Sequence, residues 1–227
     1  MQQIRFNAFA MIHKALRSML YKAANDLQQT NFTDSASTLP VFERVGVILD
    51  MFDDHADNED RMIFPPVAQH NPDIAASLEQ EHVTDHHLCT SLREGIENYK
   101  NASTPIERII AGNRVFYAFN EFIAFNLQHM NKEETVFNEA LWANYSDGEI
   151  MAINQKIATS IPPAVAAENV KWMMRAANDK EITEFIKGIK QNAPEPLYNM
   201  LTQIAQQELP AHRWEAIHGQ ISAEAIA

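Results

Sequence analysis

Apolar residues recur at helical spacing up to Tyr145 and mark out four amphipathic segments. In residues 4–29, Phe6, Phe9, His13, Leu16 and Leu20 share one face. Residues 41–68 align Ile48, Met51, Phe52, His55, Glu59, Met62 and Ile63, with Pro40 near the first turn and Pro65 and Pro66 as a kink or stop. Asn71 and Pro72 suit the cap and first position of a third helix over 73–100, whose stripe reads Ala75, Leu78, His82, His86, Cys89 and Arg93. Thr104 and Pro105 open a fourth over about 106–145, carrying Val115, Ala118, Phe122, Phe125, His129 and Glu133. Short connectors make sequential helices antiparallel neighbours. The expectation is an all-α chain whose residues 1–146 form an antiparallel up-down-up-down four-helix bundle. No strand-like alternation competes with it.

Beyond Tyr145 the pattern breaks into shorter helices, interrupted at SIPP, NAPEP and LPAH. Trp172, Met173, Met174, Ile186, Leu197, Leu201 and Trp214 give this stretch apolar faces of its own. It holds no histidine and carboxylate at one-turn spacing on such a face. Residues 147–227 are therefore expected to be a helical extension, packed on the bundle or joining copies into a homo-oligomer.

Composition narrows the class. Of 227 residues, 46% are hydrophobic, ample for a core. The 18 Lys and Arg against 30 Asp and Glu leave a net charge of −12. Such a surface argues against nucleic acid or an anionic membrane as partner, and bound cations would offset part of it. No run of about 20 apolar residues occurs, and MQQIRFNAF lacks a signal-peptide core. The single cysteine, Cys89, fits a reducing compartment. A cytoplasmic location is expected.

The chemistry lies on the four stripes: His13; His55 and Glu59; His82 and His86; His129 and Glu133. Four residues advance a helix by about 400° and roughly 6 Å, so each pair projects from one face in adjacent turns. One histidine on an apolar face is usually a structural residue. Five of nine on four consecutive faces call for a shared partner, because buried polar groups must be satisfied. Imidazole with carboxylate suits iron, zinc, manganese or copper. Seven donors exceed one tetrahedral zinc, whereas two metals sharing bridging carboxylates would use them all. A ferritin-like di-iron site needs two inward Glu-x-x-His elements, and the four stripes offer one, Glu79–His82, with no second inward one. His70, His87, His212 and His218 fall outside the stripes.

The order His, HxxxE, HxxxH, HxxxE, over about residues 8–140, resembles the hemerythrin-like (HHE cation-binding) domain. The resemblance implies an oxo- or hydroxo-bridged centre of two iron ions. His82, His86 and His129 would bind one iron, His13 and His55 the other, and Glu59 and a second carboxylate would bridge. It also implies oxygen or nitric oxide as the small ligand, bound or sensed; the alternatives are an enzyme reducing peroxide or nitric oxide, or an iron-handling protein. Oxygen-carrying members have HxxxxD in the last helix, where this chain reads HMNKEE. Glu133 lies about 40° from His129 and Glu134 about 140°, so Glu133 is expected to bridge on a regular helix. No acid beyond the ligands stands on the inward stripes, which favours reversible binding over catalysis.

Overall fold

The computed structural model describes residues 5–223, and among them there is no strand. Eleven α-helices follow one another: α1 (Ala10–Gln28), α2 (Ser35–Met62), α3 (Phe64–Ala68), α4 (Pro72–Lys100), α5 (Pro105–Lys132), α6 (Asn138–Asn144), α7 (Asp147–Ser160), α8 (Pro163–Ala176), α9 (Asp179–Asn192), α10 (Glu195–Glu208) and α11 (Ala211–Ala223). A π-helical turn, Glu133–Phe137, joins α5 to α6.

The helix starts follow local chemistry. Thr104 closes a capping box with Glu107, which takes the Ser103 and Thr104 amides at 2.8 and 2.9 Å. The second helix starts earlier than expected, because Asp34 caps it by accepting from the Ala36 amide at 3.0 Å; Pro40 therefore lies inside α2 rather than near its start. It also stops sooner, at Met62, and Pro65 and Pro66 fall in the separate turn α3. The helix expected over about 106–145 is found as one unbroken helical run from Pro105 to Asn144, with the π-helical turn inserted in it.

Contacts divide the chain into two compact units: the chain up to Phe9 with Met19–Thr159, and Ala10–Ser18 with the chain from Ser160. In the first, α4 packs along α5 and against α2 and α3. On α4 and α5 the buried positions alternate steps of three and four: Leu78, His82, Asp85, Cys89, Leu92 and Ile96, then Val115, Phe119, Phe122, Asn126 and His129, continuing to Glu133 in the π-helical turn. The second helix keeps the same steps through Val41, Val45, Ile48 and Phe52, and half-buried His55 divides the seven residues from Phe52 to Glu59. At one end of this seam Phe42 meets Tyr99 edge-on at 5.0 Å, and the Tyr99 hydroxyl donates to the Phe32 carbonyl at 2.9 Å. At the other, Phe64 and Phe137 pack at 4.6 Å. Residues before α1 are pinned there too: Arg5 pairs with Asp147 at 2.6 Å and donates to the Trp142 and Tyr145 carbonyls. Through Ile150, Ile153 and Ile157, α7 joins the same core.

The second unit has its own core of Met174, Ile182, Ile186, Ile204, Ala205, Leu209, Ile217 and Ile221, with Met11 against it. Asn178 and Glu181 form a capping box on α9, and Glu181 also takes Lys14. No helix among the described residues is long and apolar enough to cross a membrane.

Candidate metal centre

Four side chains from the seam of the first unit meet in its interior: Glu59 on α2, His82 on α4, and His129 and Glu133 at the end of α5. Each offers one ligand atom, and these atoms lie within 4.8 Å of one another. All four are buried, Glu59 at 1% exposure and Glu133 at 0%. His82 Nε2 stands 3.4 Å from Glu59 and 3.7 Å from Glu133, and His129 Nε2 stands 3.2 Å from Glu133. His55 joins through Glu59, its Nε2 at 3.1 Å, and its side chain is 14% exposed.

The outer edges of both deep imidazoles are also occupied. His82 Nδ1 is 2.7 Å from Asp60 and His129 Nδ1 is 3.0 Å from Glu81. With Nδ1 facing a carboxylate outward, Nε2 is the atom each ring turns inward, where the neutral ring would offer its lone pair to a cation, the arrangement that fixes tautomer and aim in metal-binding histidines. Aromatic rings hold the faces: Phe64 stacks on His82 at 4.9 Å and Phe125 on His129 at 6.0 Å, and the two imidazoles meet at 4.8 Å.

Burial alone would lower the His82 pKa. Hydrogen bonds to Asp60, Glu133 and Glu59 outweigh it and push the imidazole up to about 12. His129 is also raised: burial opposes the shift, and Glu133 and Glu81 overcome it. Two carboxylates enclosed with these rings thus make a site that favours positive charge strongly enough to offset desolvation. A metal cation meets the same demand, and imidazole nitrogen with carboxylate oxygen is the donor set of iron, zinc or manganese. The residues present fit such a cation.

His86 is not brought to this cluster. Its side chain is 68% exposed, with Nδ1 3.3 Å from Asp53, which also pairs with Arg93 at 2.7 Å. The buried stripe of α4 steps from His82 to Asp85 and Cys89, which leaves His86 about 80° off its centre. Asp85 takes the inward place instead. It is 3% exposed and accepts from the Asn126 amide at 2.6 Å, so an acid does stand on the inward stripe. Burial raises its pKa. The sequence signal for Asp85 was the apolar pair Leu92 and Ile96, which continues the stripe through it, whereas Arg93 on the His86 side does not.

Glu133 faces His129 from the first residue of the π-helical turn, and Glu134 is half-buried. The extra residue comes after the His129–Glu133 step and leaves it regular; its effect is to bury Phe137 and Asn138 together. His13 is fully buried on α1, in the half grouped with the second unit. His70, His87, His212 and His218 contribute nothing to the cluster; Cys89 is buried one turn from Asp85.

A comparison with known families matches residues 6–141 to the hemerythrin HHE cation-binding domain. Comparisons with curated proteins and with solved structures give no match. The matched segment spans more than half of the 227 residues and contains the whole cluster, and the chain belongs to the hemerythrin HHE cation-binding domain family.

Proposed function

We propose that this chain is a non-haem di-iron protein that reversibly binds a small diatomic ligand, oxygen or nitric oxide. On this reading α1, α2, α4 and α5 form an antiparallel four-helix bundle around the metals. His82 and His129 would hold one iron, His55 would serve the other, and the Glu59 and Glu133 carboxylates would be available to both. His86 is left out of the set, since its side chain is turned to solvent. Residues 147–227 supply no ligand and act as the extension through which copies associate, in a reducing, cytoplasmic setting.

The observation that carries the reading is the inward pair of Nε2 atoms facing two buried carboxylates, all within 4.8 Å. When bound, iron supplies a redox couple and a coordination position for the small ligand. The chain supplies the rest. Asp60 and Glu81 hold the imidazoles in one tautomer, and Phe64 and Phe125 fix their planes. Phe52 and Phe122, packed edge-on at 5.1 Å and buried, keep the α2–α5 side dry.

Iron analysis under anaerobic conditions, followed by optical spectra under oxygen and nitric oxide, tests this. Two irons per chain and an adduct that disappears under vacuum and returns on re-exposure are expected. A chain that takes up no iron, or whose spectrum ignores both gases, refutes it.

Asp85 favours a second reading, an enzyme reducing peroxide or nitric oxide. Its buried carboxyl stays protonated more readily than in water and lies one turn from His82. Multiple turnover of either substrate, lost in Asp85→Asn with iron retained, would establish that reading in place of reversible binding.

A further inference from the structure

The two deep imidazoles differ in what stands behind them. The Asp60 carboxylate meets His82 Nδ1 at 2.7 Å, and among the described residues no lysine or arginine pairs with it. The Glu81 carboxylate meets His129 Nδ1 at 3.0 Å through one oxygen, while its other oxygen is taken by the Lys132 ammonium. A carboxylate accepting Nδ1–H pushes electron density across the ring and makes Nε2 a stronger donor. A carboxylate shared with an ammonium pushes less, because the cation offsets its charge at contact distance. Lys132 gains little from packing: its side chain is 53% exposed, whereas that of Glu81 is only 19% exposed. The lysine follows His129 by three residues on the same face of α5 and reaches across to α4, so the pair closes over the outer edge of the ligand.

We propose that Lys132 acts through Glu81 to weaken His129 as a donor, so that the two histidines of one metal are unequal and a surface lysine sets the reduction potential of the centre. Lys132 and Glu81 are then positioning residues. The inference rests on the di-iron reading above and deepens it, because it says which outer residues decide how readily that metal is reduced. It also separates Lys132 from other exposed lysines of the first unit. Lys100 lies on α4, 18 residues from His82 and hence about 27 Å along the helix, beyond two Debye lengths of about 10 Å at 0.1 M salt.

Two measurements test it on the full chain. The first is the midpoint potential of the iron-loaded protein for wild type, Lys132→Met, Lys132→Arg, Glu81→Gln and Lys100→Met. Lys132→Met should shift the potential down, since Glu81 then acts on His129 with its full charge. Glu81→Gln should shift it up, while Lys132→Arg and Lys100→Met should stay at the wild-type value. A Lys132→Met potential equal to wild type, or a shift that Lys100→Met reproduces, overturns the proposal. The second is the spectrum of ¹⁵N-labelled histidine in metal-free protein. The ring nitrogens of His129 should move in Lys132→Met while those of His82 hold still, and equal or absent movement overturns the link. A chain that takes up no iron refutes the metal reading, and the histidine spectra alone then decide whether Lys132 governs the Glu81–His129 bond.

Discussion

The same substitution should have opposite effects at two helical glycines. Alanine in place of glycine inside a helix stabilises by about 0.5–1 kcal/mol, because the unfolded chain loses freedom. At Gly46, within α2, an added Cβ meets nothing within 4 Å, so the full gain should appear. At Gly112, within α5, it would stand 2.2 Å from Phe32 Cγ, 2.5 Å from Cδ1 and 2.7 Å from Cβ. Those atoms are the root of the side chain, and they cannot swing aside as a flexible tip would. Phe32 is held edge-on to Tyr99 at 6.4 Å and beside Phe42 at 6.1 Å, and its carbonyl accepts the Tyr99 hydroxyl. Overpacking of this kind costs about 1–3 kcal/mol. After subtracting the helical gain, Gly112→Ala should destabilise by about 0.5–2 kcal/mol, leaving the two variants roughly 1–3 kcal/mol apart.

Urea unfolding of metal-depleted protein, followed by helical circular dichroism, gives both values on one scale. Relative to Phe32→Ala alone, adding Gly112→Ala should cost less than it does in the wild type, since the ring atoms are gone and only the contact with the Cβ of residue 32 at 2.7 Å is kept. The folded Gly112→Ala protein should keep its metal, because Gly112 is 17 residues, about 26 Å, from His129 along α5. Equal stability of Gly46→Ala and Gly112→Ala would refute the close approach of Phe32 to α5.

Further outcomes follow from the site and the caps. His86→Ala should leave metal content unchanged, whereas His82→Ala and His129→Ala should each lose metal; metal analysis showing the reverse would restore the HxxxH pair. Metal removal should lower the melting temperature, since a ligand held at 100 times its Kd contributes about 2.7 kcal/mol. The Cys89 thiol, fully buried and pushed up in pKa by burial and then by Asp85, should resist iodoacetamide in the native protein at pH 8 and react on unfolding; rapid native labelling would refute its burial. Glu107 is held below its ordinary 4.5 by the Thr104 and Ser103 amides, so its contribution is complete above that value and lost as pH falls through the lower folded one. Glu107→Gln should therefore flatten the acid limb of the stability profile, and an unchanged limb would show that the capping carboxylate is not the cause.

Much of the helical content was legible because each long helix keeps an apolar stripe over six or seven turns. Where the sequence misleads, a local polar group decides. Asp34 starts α2 ahead of Pro40, although the proline is the louder signal, because a side-chain cap satisfies an orphan amide and a proline within the helix removes only one donor. The π-helical turn has no comparable mark in HMNKEETVF. It is stabilised by distant partners: Phe137 packs on Phe9 and Phe64, and Asn138 accepts from the Ala8 amide at 3.5 Å. Such contacts are tertiary and leave no trace in the spacing of residues 129–137.

The fate of His86 shows why a one-turn motif alone cannot name a ligand. On helices packed along their length, the buried seam follows a repeat of seven with alternating steps of three and four. A pair four residues apart faces inward only where the seam takes its long step. On α2 the steps run Phe52, His55, Glu59, so His55 to Glu59 is a long step and both residues face the cluster. On α5 they run Asn126, His129, Glu133, and His129 to Glu133 is again long. On α4 the long step has already been taken from Leu78 to His82, so the next is short and lands on Asp85. The three motifs look alike at one-turn spacing, and only the phase of the surrounding apolar residues separates them. That phase was readable in Leu78, Leu92 and Ile96, and it puts a hydrogen-bonded acid where the motif put an imidazole. On the di-iron reading proposed above, Asp85→Asn is therefore the variant that separates reversible binding from reduction.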